Sequence, residues 1–505
     1  MNKRRFLVLL LLACFQTACK AQPQRSRPAA VAGAFYPSDA KELARMLDGF
    51  LAAAKPVEIK DVVALVAPHA GYIYSGGVAA NSYALLKGRK VERVVVISPS
   101  HLEEFPFSAV YDGAAYTTPL GQAPVDSVFA AALAKTSKLI QVSGRGHNAA
   151  GNRAEHALEV QIPFLQRVLG QFKLVPIVMG DQSYEACRAL GLALAKNIQG
   201  SGTIIIASSD LSHYHPYDDA VKMDRKTLRA IEEWDYLSLL RNAEMRVWEA
   251  CGAGPIAAAM IASEQLGARQ AKLLAYANSG DTAGDRKQVV GYGAVAIYRG
   301  ENQRASAEQP FTLGSAEKDE LFAIARRSVE SVVRNRKMLP DPAPKLESLT
   351  QERGAFVTLK EHGELRGCIG YSAPIKPLAL TVREVAAYAA VKDDRFRPVA
   401  PEELPLLEYE ISVLSPLKRV LSVDEIVVGR HGLVMKQGNR EGLLLPQVPV
   451  EQGWDRATFL EMTAQKAGLL KDAWKDERTD IFSFTALVFQ EHEATPPTTT
   501  RATPR

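Results

Sequence analysis

Hydrophobic runs and polar breaks alternate regularly along the chain up to about Tyr298. Val62–Val66, Val94–Ile97, Leu174–Val178 and Ile204–Ala207 are short, continuous and rich in β-branched residues, the pattern of strands buried on both faces. Stretches of helical period, such as Ala40–Ala54 and Tyr184–Asn197, lie between them. This alternation predicts an α/β domain with a central, largely parallel or mixed sheet flanked by helices. The polar segment Arg299–Pro310 reads as a linker. The amphipathic run AEKDELFAIARRSVESVVRN then opens a second, smaller domain that reaches about Phe489. The Pro/Thr-rich end, residues 490–505, predicts a disordered tail. No internal repeat is found, and the two domains differ in pattern.

Composition narrows the function classes only slightly. With 505 residues, 47% hydrophobic and 23% charged, the chain is globular and too long for one typical domain. The balance of 61 basic and 56 acidic residues leaves a formal charge of +5 without a basic stripe. That excludes an electrostatic nucleic-acid binder. At the start, Lys3-Arg4-Arg5 precedes an apolar run from Phe6 to Cys14, so residues 1–21 predict a secretory signal. The run is too short for a permanent membrane span. Thr17-Ala18-Cys19 looks like a bacterial lipoprotein cleavage site, with Gln16 where an aliphatic residue is usual. The expectation is an exported protein, periplasmic or held at the membrane by a lipid on Cys19. Of the other cysteines, Cys187, Cys251 and Cys368 are odd in number and widely spaced, which argues against a disulfide scaffold.

The candidate chemistry sits where strands end. DVVALVAPHAGY delivers His69, VVVISPSHLEEF delivers His101, and GTIIIASSDLSHYH delivers Asp210, His213 and His215. With His147 and His156, six of the nine histidines fall in this domain. In open α/β sheets, ligands bind at the carboxyl ends of strands. Neutral imidazole is the commonest ligand for iron, copper and zinc. Each histidine taken singly is better read as a hydrogen-bonded turn residue. In EACGAGPIAAAM, Cys251 precedes Gly252, Gly254 and Pro255 at the start of a predicted helix. A helix N-terminus favours a thiolate, which could act as a soft ligand or as a nucleophile.

APHAGYIYSG, SPSHL, EHALEVQIPFL, SSDLSHY and CGAGPI occur in that order, and over Arg27–Tyr298 the domain resembles the Memo family. That family's fold looks like that of the class III extradiol ring-cleaving dioxygenases. The resemblance implies that His69, His101 and Cys251 hold a divalent metal, iron(II) first, with copper or zinc as alternatives. It implies that Asp210 and His213 share the pocket and that Glu155 and His156 lie near it. His213 is then the candidate acid/base, with Asp210 orienting its ring or binding substrate. Glu155 and His156 become candidates for binding a small-molecule substrate. Simpler readings are that Asp210 caps the following turn and that Glu155/His156 start a helix with Glu159. Ring-cleaving iron enzymes use two histidines and a carboxylate; Cys251 in the third place makes a softer, more oxidisable site. Ser279–Thr282 resembles the family's closing segment, beside the pocket or in a plain turn.

In the second domain, Leu365-Arg-Gly-Cys-Ile-Gly370 places glycines around Cys368, where the backbone could approach another group, and Arg366 could hold an anion. Read alone, Cys368 is a buried strand cysteine. LRGCIG is the signature of the AMMECR-type domain, and residues 311–489 resemble that α+β family. KDDRFRPV departs from the usual Asp-Pro-Arg-Phe-Pro-Pro at Asp394 and Arg397 while keeping Arg395, Phe396 and Pro398. The resemblance leaves Cys368 as a catalytic candidate and Arg366 as a substrate-binding one. Memo-type and AMMECR-type domains accompany a radical S-adenosylmethionine protein in the AmmeMemoRadiSam system, and this chain resembles its B and A components fused. No Cys-x3-Cys-x2-Cys motif is present, so the radical protein would be a separate partner. Three functions follow: a metal-dependent, dioxygenase-like oxidoreductase; a non-catalytic metal- or peptide-binding scaffold; or a metal-free enzyme using Cys251 or Cys368 as nucleophile.

Overall fold

A computed structural model describes residues 25–55, 57–149, 154–300 and 312–491. The signal expected at 1–21, most of the linker and nearly all of the tail fall outside them.

The predicted apolar runs form the centre of the first domain. Val62–Ala67, Thr203–Ser208, Arg93–Pro99 and Lys173–Met179 lie side by side, all parallel. Their side chains are almost entirely buried on both faces, which is why they read as continuous rather than alternating. Antiparallel neighbours complete the sheet: Val289–Tyr298 on one side, and Ser108–Val110 on the other. The architecture is therefore α/β with a mixed sheet of nine strands. Because the four central strands are parallel, their carboxyl ends emerge together. The chain leaves them at Pro68-His69, Ser100-His101, Gly180 and Ser209-Asp210.

The Ala-rich helix Ala253–Gln265 is buried along nearly its whole length, packed between the sheet and the helix Tyr184–Asn197. Small residues permit this. A Cβ on Gly191 would lie 2.7 Å from the Ile261 side chain and 2.9 Å from the Ala258 carbonyl oxygen, so glycine is what lets these helices approach.

The second domain is α+β. An antiparallel sheet of four strands, Glu364–Tyr371, Ala355–Glu361, Leu407–Leu414 and Ala486–Gln490, carries the helices Ser315–Asn335 and Leu378–Val391. A second four-stranded antiparallel sheet packs against the helix Arg456–Lys466. The two domains share a core: Leu414, Val434, Phe482 and Phe484 join the apolar cluster that includes the first domain's Trp248 and Ala257. Beside it, buried Asp480 accepts from Tyr184 Oη at 2.7 Å, Arg188 Nε at 2.8 Å and Arg419 Nη2 at 2.5 Å. An apolar contact ringed by charged hydrogen bonds of this kind fixes one domain on the other.

Candidate metal centre

His69, His101 and Cys251 meet at the carboxyl ends of the parallel strands, their ligand-capable atoms all within 4.8 Å of one another. Cys251 reaches the strand ends through a close backbone approach. A Cβ on Gly252 would stand 2.2 Å from the Ser208 carbonyl oxygen, so only glycine lets the start of the Ala253–Gln265 helix come so near. Gln182 anchors the same turn, donating to the Cys251 carbonyl at 3.0 Å and accepting from the Gly254 N–H at 2.8 Å.

The surrounding hydrogen bonds decide which ring nitrogens face inward. Ser208 Oγ donates to the Ala157 carbonyl at 2.6 Å and accepts from Gln161 Nε2 at 2.7 Å. With its proton used, it accepts from His69 Nδ1 at 2.9 Å. That assignment leaves the His69 Nε2 lone pair facing Cys251 Sγ, 3.0 Å away. On His101, Nδ1 donates to Glu155 Oε1 at 3.0 Å while the backbone N–H donates to Oε2 at 2.7 Å. His101 Nε2 is thereby the nitrogen left for a ligand's role. Fixing the far nitrogen of each imidazole is how metal-binding histidines are commonly oriented.

Asp210 ties the strand ends together. Its Oδ1 accepts from the backbone N–H of His69 at 2.7 Å and of Ala70 at 3.3 Å, and its own N–H donates to Cys251 Sγ at 3.2 Å. The sequence suggested that Asp210 caps the following turn or orients the His213 ring; among the described residues its carboxylate is given instead to the His69 and Ala70 N–H groups. Glu249 holds this segment instead, accepting from the His213 backbone N–H at 2.8 Å and pairing with His215 Nε2 at 2.9 Å. His213 lies close enough for its charge to bear on His69. His156 stacks on His101, ring centroids 4.9 Å apart and nearly parallel.

Electrostatics within the cluster follow from burial. Desolvation pushes the Asp210 carboxyl up to about 7 despite the His69 and Ala70 N–H groups, and burial with nearby Asp210 pushes the Cys251 thiol up as well. Burial and the neighbouring His101 bring His156 down to about 4. His69 is held well below the ordinary histidine range by burial and by its histidine neighbours. Burial opposes charge on His101 too, but Glu155 prevails and raises it. Two imidazoles, a thiol and a carboxyl thus converge, His69 and Asp210 buried, Cys251 half-buried and His101 at the exposed rim, with no Lys or Arg among the groups named. The donor set fits a divalent cation of borderline or soft character.

Other expected site residues fall elsewhere or act differently. Glu155 cannot reach a substrate, because its two oxygens are taken by His101 and by the N–H groups of His156 and Ala157; it positions His101. His147 is a core histidine, bonded to Tyr116 and the Ala109 carbonyl. Glu159 does not pair with Glu155 or His156 at a helix start. It is buried and binds Arg27, the Ala30 and Val31 N–H groups and Tyr36. Ser279–Thr282 is a single helical turn capped by Asn278. In the second domain, Arg366 is not held open for an anion: Glu403 takes it from two sides at 2.8 and 3.1 Å, and the Arg397 and Pro398 carbonyls take the rest. Cys368 is partly buried, its thiol raised mainly by burial, the opposite of an activated nucleophile. Its flanking glycines serve packing. A Cβ on Gly367 would lie 2.2 Å from the Ala389 carbonyl, and one on Gly370 would strike the Phe356 ring.

Reading by sequence missed Ser208, Gln161, Gln182 and Glu249. Ser208, Gln161 and Glu249 lie inside the SSDLSHY, EHALEVQIPFL and EACGAGPIAAAM stretches, so their signal was present; Gln182 reaches the site from a separate segment.

Comparison with known proteins places these features. The family described as Memo-like protein matches residues 27–296, and the family described as AMMECR1 matches 322–489. A MEMO1 family protein of Methanopyrus kandleri is 37% identical over 286 residues, covering 54% of this chain and 99% of the relative. A protein of Thermococcus kodakarensis is 46% identical over 181 residues, covering 34% of this chain and 88% of the relative. The crystal structure of an uncharacterized protein from Pyrococcus horikoshii superposes with a TM-score of 0.35 at 41% identity, covering 36% of this chain and 95% of that one. These comparisons correct the reading of a signal peptide and a lipoprotein. The Memo match begins at residue 27, and the archaeal relative is covered over 99% of its length by 54% of this chain. No helix among the described residues is long and apolar enough to cross a membrane. The matches lend no support to a signal or to a lipid anchor at Cys19, and that reading is withdrawn.

Proposed function

Because the chain belongs to the Memo family and carries an AMMECR1 domain, we propose that it is a non-haem metal-dependent oxidoreductase, dioxygenase-like in type, acting on a small molecule. One observation carries this reading: the His69, His101 and Cys251 ligand atoms lie within 4.8 Å of one another. The two rings are turned so that Nε2 of each is free of its outer partner. His69, His101 and Cys251 would hold the metal, iron(II) first. When bound it would supply redox chemistry and open coordination positions.

The chain's own groups do the rest. Asp210 fixes the His69 backbone and Cys251 together. Burial lowers His213 below the usual histidine range, so its imidazole is neutral near pH 7 and able to accept a proton from a bound hydroxyl. His156, stacked on His101, gives the substrate a flat, uncharged wall.

Cys251 in the place of a carboxylate supports a second reading, a copper or zinc protein without turnover that serves as a metal- or peptide-binding scaffold. The AMMECR1 domain supports a place in an AmmeMemoRadiSam-type system, with a separate radical S-adenosylmethionine protein as partner.

Metal analysis of anaerobically purified protein separates these readings. Near-stoichiometric iron that is lost in H69A and H101A, with catechol-dependent O2 uptake, is the result expected. Bound metal with no O2 uptake across a panel of small aromatic substrates would favour the scaffold.

A further inference from the structure

We propose that the cleft between the two domains is a binding site for a small organic anion that also carries a hydrogen-bond donor. The cavity encloses about 410 Å³, within the range of small-molecule sites. The exposed face of the helix Tyr217–Glu232 supplies one wall through Arg225 and Arg229. Trp248 from the first domain and Pro374 and Leu414 from the second form apolar walls. None of the candidate metal-site residues lines it.

Three features point to an occupant. Trp248 is 5% exposed and lines the cavity, yet its indole N–H has no acceptor among the described residues. A buried donor without a partner costs about 1–3 kcal/mol, a penalty that an acceptor on a ligand would remove. The second feature is charge. Lys226 is paired with Glu352 at 2.7 Å, and Asp235 is used in capping the next helix through the Ser238 N–H at 3.0 Å. Among the described residues, Arg225 and Arg229 have no carboxylate partner; of the other acids of the lining, Glu233 is paired with Arg353 at 3.5 Å, and Glu347 alone stands against them without an ion pair. Paired guanidinium groups suit carboxylate or phosphate oxygens. The third is the other oxygen of Glu352: Lys226 takes Oε1, while Oε2 is buried with no donor among the described residues. An amino or hydroxyl group on the ligand would satisfy it. Acceptor, anion and donor are thus each called for by a different side chain around one space, between walls that suit a flat apolar body.

The full chain, titrated calorimetrically with 4-aminobenzoate, 4-aminophenyl phosphate and neutral aniline, tests this. At least one anion is expected to bind saturably, and which one binds identifies the head group; aniline should not bind. The double variant R225A/R229A changes exposed positions of a helix, and circular dichroism checks that it folds. It should weaken binding at least about tenfold, and R225K/R229K should recover only part of the loss. Neither anion binding in the millimolar range would overturn the proposal. So would aniline binding as well as the anions, or binding unchanged in R225A/R229A.

Discussion

At the scale of single residues, the site depends on groups that never touch a ligand. Glu155 and Ser208 each hold one imidazole by Nδ1, and removing such partners typically lowers metal affinity about 10–100-fold. E155Q and S208A are therefore expected to fold and to bind iron(II) or zinc more weakly by that factor, read by competition with a chromogenic chelator; unchanged affinity would refute the orienting role. The strand-end histidines were legible because imidazole after a buried strand is conspicuous. Glu155 was legible only as a neighbour, since its partner His101 lies 54 residues away in sequence. Arg366 and Cys368 misled for a related reason: a motif does not reveal whether its charge is already met. A pH test belongs here too. Arg395 holds the Asp393 carboxyl down at about 2, against burial and with help from the Cys368 N–H. Its contribution to stability is present above the ordinary carboxylate range and is lost as pH falls toward 2. D393N should be less stable than wild type by about 1 kcal/mol at pH 6, and the two should converge near pH 2 in chemical denaturation.

At the scale of elements, the strands were legible almost to the residue. Ile204–Ala207 was read where Thr203–Ser208 forms, and Tyr184–Asn197 was read as the helix it is. Parallel strands buried on both faces give an unbroken signal, and Ser183 caps that helix by accepting from the Ala186 N–H. Less legible was the way one element meets another. Gly252 looked like an ordinary residue before a helix, yet it is the point where the helix start touches a strand end. G252A should force that contact apart. The expected cost is about 1–3 kcal/mol in stability, with metal affinity reduced at least about tenfold as Cys251 withdraws. A variant with native metal affinity would show that Cys251 tolerates displacement.

At the scale of the whole molecule, the polar linker announced two domains but not that they share a core. The apolar residues concerned, Val434 and Phe482 among them, look in sequence like the interior of their own sheet. Asp480 is the charged centre of that contact. D480A would strand Arg188 and Arg419 at a buried boundary and is expected to cost about 3 kcal/mol. Thermal unfolding should then split into two transitions; a single unshifted one would refute the coupling. The account as a whole stands on two nitrogens and one sulfur around a metal. X-ray absorption of the iron- or zinc-loaded full chain measures that directly. The account expects a single sulfur scatterer at about 2.3 Å, lost in C251S, with histidine scattering diminished in H69A and H101A. A loaded wild-type site without sulfur, or one whose sulfur signal persists in C251S, would contradict it.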